Sequence, residues 1–248
     1  MKKFILFALL LLNIVLPSHA YDFDVNRWTV FEGKLGTSNI QLALYCFDDG
    51  RIKGNYYYQR NNRKINLVGE ISGDKIKLTE LLNGKPNGYF VGKVFTNDRD
   101  RFEGIRKDRS RKKTTTFKLT LSSISGSDYN DKYTFLSGTD DAVENFMRKV
   151  KVSILKGDKS WIANHVSYPI KTSLDKKNRI TIKNKKQLIN NFYRIFHAEY
   201  RRKIESYYTS NLFNNYQGAM IGRGEIWINS TPKSKNNKYG FRITAINN

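Results

Sequence analysis

Arg223 and Glu225 offer the most suggestive chemistry in this sequence, because they sit among apolar residues in Met220-Ile221-Gly222-Arg223-Gly224-Glu225-Ile226-Trp227. If this segment is a strand, alternation places Ile221, Arg223, Glu225 and Trp227 on one face. Met220, Gly222, Gly224, Ile226 and Ile228 then take the other. On a concave face, a charge pair flanked by Ile and Trp is a polar anchor in an apolar pocket, the composition of a small-ligand site. On a convex face it is an exposed ion pair worth less than about 1 kcal/mol, and this plainer reading is favoured. His165 is a further candidate for the pocket wall, set against its simpler role at a helix carboxy-terminus, where the dipole favours it.

A second constellation is basic. Arg99, Arg101, Arg106, Lys107, Arg109, Arg111, Lys112 and Lys113 surround one hairpin, and Lys176, Lys177, Arg179, Lys183, Lys185 and Lys186 occupy a turn and a helix start. Guanidinium groups bind anions in a bidentate manner, so Arg106, Arg109 and Arg111, with Lys112 and Lys113, form the better anion site. The opposing reading is a solvated hairpin. The whole chain carries a formal charge of +22, and loss of Lys2 and Lys3 would leave 42 basic residues against 22 acidic ones. Such a field attracts anions. Nucleic acid is the weaker candidate, since only Phe102 interleaves with the cluster and single strands want stacking platforms. Richness in Asn, Ile and Tyr beside Lys also suggests that part of the charge reflects genomic base composition.

Other chemistry is thinly supplied. His165 and His197 are the only histidines beyond residue 20, and neither has a metal-ligand spacing, so no metal and no cofactor is expected. Cys46 is the single cysteine, lies between Tyr45 and Phe47, and reads as a buried, inert thiol. One known pattern of acid-base catalysis in an apolar pocket pairs a carboxylate base with a second acid kept neutral. Glu225 is the one carboxylate with apolar flanks in the second half, because Asp140, Asp141, Asp158 and Asp175 read as helix caps or turns. Enzyme function is disfavoured.

The elements that must position these groups begin with an address. Residues 1–20 show a basic start, an apolar run from Phe4 to Leu16 and a small-residue ending at Ala20, the order of a cleavable signal peptide. The run is too short to span a bilayer, and Tyr21 rather than Cys follows the cut, so a free periplasmic or secreted protein is expected. From Trp28 to Ser122 the pattern has period two, with apolar runs at 40–47, 52–59, 64–71, 75–82, 88–95, 101–106 and 115–121 separated by Gly, Asn and Asp turns. Seven such strands imply an antiparallel meander over 21–122, curled into a small barrel that hides its edges. Recurrent glycines, as at Gly54, Gly69, Gly92 and Gly104, fit the bending of a tight barrel.

Residues 123–138 lose periodicity and read as a linker. An amphipathic helix then starts at Asp140, with Val143, Phe146, Met147, Val150 and Ile154 on one stripe and Gly157 at its end. A short helix capped by Asp158 follows, then strands at 170–174 and 179–182, a helix over about 185–200, and long strands at 219–229 and 239–246. This order, with Gly157-Asp158-Lys159 opening the second helix and Tyr168-Pro169-Ile170 starting the first strand, resembles the nuclear transport factor 2-like superfamily, which includes ketosteroid-isomerase-like proteins. The resemblance covers 139–248 and implies an α+β cone, a curved sheet around helices with a pocket at its open end.

The sequence therefore predicts a two-domain exported protein, an all-β antiparallel barrel followed by an α+β cone. The expected role is non-enzymatic binding of an anionic envelope component or an acidic protein, in an inhibitor or immunity-type capacity. The alternative is a small-molecule enzyme or ligand-binding domain using the cone pocket.

Overall fold

The computed structural model describes residues 23–60, 63–96, 100–175, 178–231 and 240–248. The expected signal peptide with its boundary at Tyr21 lies outside them, as do Arg99, Lys176 and Lys177. The first half is a closed antiparallel barrel of β1 (Trp28–Leu35), β2 (Ser38–Cys46), β3 (Arg51–Tyr58), β4 (Lys64–Ser72), β5 (Lys75–Leu82), β6 (Lys85–Thr96), β7 (Asp100–Asp108) and β8 (Thr114–Ser125). Eight strands replace the seven expected, because β1 pairs with both β2 and β8 and closes the ring. Its Trp28-Thr29-Val30-Phe31 run is buried on both faces, so it lacks the polar alternation that marks a half-exposed strand.

Inward positions carry the packing. Phe31, Ile40, Leu42, Tyr56, Leu67, Phe90, Phe102 and Phe117 fill the interior, and Cys46 is buried with a free thiol. Burial pushes the Cys46 thiol up, aided by Asp49 and Asp48. Facing outward on β4 to β8 are Glu70, Lys75, Lys77, Lys93, Glu103 and Lys118, an apolar-in, charged-out order opposite to that of membrane barrels. Two glycines explain how the strands coil so tightly: a Cβ at Gly54 would stand 2.1 Å from the Ala43 carbonyl oxygen, and one at Gly69 would stand 1.9 Å from that of Lys77. At one end of the barrel the interior turns polar, where Glu80 accepts from Tyr56, Arg106 and Asn87.

The second half begins with α1 (Asp140–Lys156), capped by Thr139 and ended by Gly157 in the left-handed region. It continues through α2 (Lys159–Asn164), the hairpin β9 (Ile170–Leu174) and β10 (Asn178–Ile182), α3 (Lys185–Ile195) and α4 (Ala198–Ser206). The helix expected to reach Tyr200 therefore breaks at Phe196. His197 caps the new helix, its Nδ1 accepting from the Tyr200 N–H, and the bend lets Phe196, Tyr200 and Ile204 all reach the core. Last comes an antiparallel sheet, β11 (Phe213–Asn215), β12 (Gly218–Ile221), β13 (Ile226–Ser230) and β14 (Phe241–Ile246). Its apolar face packs on the helices through Ala219, Ile221, Ile226, Ile228 and Ile243, and Met147, Phe192 and Phe196 fill the space between.

The two halves meet on the outer face of β1 to β3. Trp28, Val30, Ala43 and Tyr45 form a small apolar cluster there with Tyr129, and Lys132 lies over the Trp28 ring at 3.7 Å. Beside it runs a buried polar network. Glu144 of α1 accepts from the hydroxyls of Tyr133 and Tyr57 and from the Asn211 N–H, while the Asn211 side chain donates to Gln41 and Asn55 and accepts from Lys132. The segment read as a linker thus carries buried Ser127, Lys132, Tyr133 and Leu136. Among the described residues, no helix is long and apolar enough to cross a membrane.

Candidate functional site

Arg223 and Glu225 do not lie in a strand. Gly222 (φ 69°) and Gly224 (φ 100°) adopt backbone that only glycine enters freely, and they fold residues 222–225 into the turn between β12 and β13. The turn shifts the alternation, so Ile221 pairs with Ile226 on the core face, and Trp227 lies opposite with Met220 and Phe213. Glu225 does not pair with the Arg223 guanidinium: its carboxylate accepts from the Tyr207 hydroxyl at 2.8 Å and from the Arg223 backbone N–H at 2.6 Å. The carboxylate in turn holds the Tyr207 hydroxyl up to about 12, after burial as the larger cause. Arg223 is left exposed.

His165 stands elsewhere. It ends α2, stacks on Trp161 at 3.9 Å, places Nδ1 2.7 Å from the Trp161 carbonyl and lies against Phe146. Its backbone carbonyl accepts from Ile243 of β14. The structure therefore joins Arg223 to Glu225 through the backbone but does not bring His165 to them.

The turn instead faces the barrel. Arg223, Gly222, Met220, Tyr207, Tyr208 and Asn211 form one wall of a crevice of about 590 Å³, and Glu32, Gln41, Thr120, Ser122 and Ser123 from β1, β2 and β8 form the other. Glu32 accepts from Gln41 Nε2 at 3.0 Å. Burial raises its carboxyl above the ordinary value, against hydrogen bonds from Gln41 and Ser122. Burial also raises the Tyr208 hydroxyl, and the Glu32 charge adds to the effect. Glu32, Gln41, Tyr207, Tyr208 and Asn211 were missed by sequence reasoning. The available signal was a lone Glu in Val30-Phe31-Glu32-Gly33 and a lone Gln in Ile40-Gln41-Leu42, polar residues inside apolar runs.

The basic hairpin divides into members with different roles. Arg106 points into the barrel, where its Nε and second guanidinium nitrogen reach Glu80 Oε2 at 2.8 and 2.7 Å. Interior Glu80 thus engages its guanidinium, which sets Arg106 apart from the exposed cations of the loop. The remaining loop is organised by Asp108, which accepts from the Ser110 hydroxyl and the Lys113 N–H, bonds that hold its carboxyl low. Arg109, Lys112 and Lys113 are exposed, and Arg111 (φ 60°) folds back with its guanidinium 4.9 Å from the Tyr89 ring centre. Arg111 thereby borders a shallow concavity of about 650 Å³ on the outer face of β4 to β7, with Tyr89, Val91 and Ile105 at its centre and Lys77, Lys107, Arg51 and one carboxylate, Glu70, around it. Val91 is 46% exposed there.

Among the described residues no group of His, Cys, Asp and Glu could hold a metal ion. Comparison with protein-family models, curated proteins and solved structures finds no match for this chain.

Proposed function

We propose that this chain is an exported, non-enzymatic binding protein whose barrel face engages an anionic lipid surface of the cell envelope. The carrying observation is the outer face of β4 to β7, where exposed Val91 and half-buried Ile105 and Tyr89 are bordered by Lys107, Arg111 and a Lys77 paired with Glu70. An apolar centre with a basic margin matches acyl chains beneath charged headgroups, in the way amphipathic surfaces bind anionic bilayers. The arrangement of charge adds support. Glu80 and Glu144 are buried and Glu32 faces the junction, whereas Lys107, Arg109, Arg111, Lys112 and Lys113 join no ion pair among the described residues. Nucleic acid fits less well, since Phe90 is fully buried and the ring of Tyr89 is already covered by Arg111.

In this reading the carboxy-terminal half is a cone of the nuclear transport factor 2-like kind that serves as a support. Met147, Phe192 and Phe196 are fully buried in the core between the helices and the sheet, which supports a packed interior over the enzyme alternative.

Co-sedimentation of the mature protein with vesicles tests the proposal. Retention is expected on phosphatidylglycerol mixed with phosphatidylcholine, not on phosphatidylcholine alone, and should fall as salt shortens screening to about 8 Å. Lys107→Glu with Arg111→Glu should weaken retention at least tenfold, and Val91→Asp should do the same with the basic margin intact. Retention equal on neutral vesicles, or unchanged in both variants, overturns the membrane reading. Capture of an acidic protein instead would assign the face to that partner. Export is checked by mass spectrometry of the envelope fraction, where the first residue is expected to be Tyr21.

A further inference from the structure

The crevice between the halves contains opposite charges on opposite walls. Glu32, on the outer face of β1, has neutral hydrogen-bond partners, Gln41 and Ser122, and forms no ion pair among the described residues. A partly buried carboxylate without a cation is unfavourable, so the site favours a ligand that supplies one. Across the gap Arg223 extends from the 222–225 turn, and its natural partner Glu225 is already engaged by Tyr207 and by backbone. The guanidinium is left exposed at the margin. Met220 and Phe213 contribute apolar lining to the same crevice, and the volume of about 590 Å³ suits a small molecule.

We propose that this crevice binds a small zwitterion of the amino-acid class, with its ammonium on Glu32, its carboxylate on Arg223 and an apolar side chain against Met220 and Phe213. A simple cation fits less well, because the chain's charge of +22 repels it, whereas a zwitterion has no net charge. Arg binds carboxylate in a bidentate manner, which adds orientation to charge. The site exists only where the barrel and the carboxy-terminal sheet are joined, since each contributes one charge. It shares no residue with the β4 to β7 face, so its fate is independent of the membrane reading.

Calorimetric titration of the full mature chain with each common α-amino acid provides the test. Saturable binding is expected for at least one apolar amino acid, and is weakened about tenfold or more by Glu32→Gln and, separately, by Arg223→Gln, since charge-assisted hydrogen bonds are lost. The N-acetyl derivative should mimic the Glu32 variant and the methyl ester the Arg223 variant. Arg223 is exposed, so its variant keeps the fold even if Glu32→Gln disturbs β1. Absence of binding by every amino acid, or binding indifferent to Arg223→Gln and to both blocked derivatives, overturns the proposal. Vesicle retention should be unchanged in either variant.

Discussion

Replacing Arg106 with Met separates a structural role for this residue from a binding one. Its partner Glu80 has a side chain only 2% exposed, and the Arg106 side chain is 18% exposed. Loss of one member of such a pair leaves an uncompensated charge in the barrel, at a cost of about 3–5 kcal/mol. Tyr56 and Asn87 still donate to Glu80, so the lower end of that range, about 3 kcal/mol, is expected. For a chain of this size, the melting temperature should then fall by roughly 6–12 °C. Urea unfolding followed by far-ultraviolet circular dichroism gives the free energy directly. The double variant Glu80→Leu/Arg106→Met should recover most of the loss, because an apolar pair of similar volume removes the stranded charge. Arg109→Ser, in the exposed loop, should change stability by no more than about 0.5 kcal/mol. A loss below about 1 kcal/mol for Arg106→Met would refute the reasoning and return Arg106 to the solvent-facing cluster.

Lys132 makes stability depend on alkaline pH. Burial pushes its ammonium down to about 8, with Glu144 opposing, so its folded value lies below its unfolded one. The associated stability is present above about 10.5 and is lost as pH falls through about 8. Wild type should therefore gain about 2 kcal/mol relative to Lys132→Met between pH 8 and 10, and a pH-independent difference in denaturant melts counts against this. Asn211→Ala leaves Gln41, Asn55 and Lys132 without a shared partner and places alanine at φ 48°. A loss of about 3 kcal/mol is expected, and a value under 1 would mean that the junction network contributes little. Gly222→Ala brings a Cβ to 2.4 Å from Glu225 and 2.5 Å from the Tyr207 ring. It should unfasten the 222–225 turn, seen as faster amide exchange at Arg223, and unaltered exchange would contradict the role given to Glu225.

Much of the barrel was legible because β4 to β8 have one face in the core and one in water, which prints period two on residues such as Lys75-Ile76-Lys77-Leu78. The first strand was not, because its outer face is covered by the second half and reads as apolar as its inner face. The same cause hid the crevice. Glu32 and Gln41 are ordinary polar residues of a meander until a partner surface arrives. The 222–225 turn failed for a local reason: Gly-Arg-Gly was read as part of a strand, although two glycines separated by one residue are a turn signal.

Local pattern alone determined the alternating strands, the α1 stripe with its Gly157 stop, and the large positive charge, since each depends only on neighbours in the chain. Only the tertiary structure decided which charges were free. Arg106 became internal because strand pairing placed it over Glu80, and Arg223 lost Glu225 to a tyrosine from α4's far end. Glu32 came to face Arg223 because two halves remote in sequence share one junction. Electrostatic partnership is set by distance and dielectric in space, and neither is encoded by spacing along a chain.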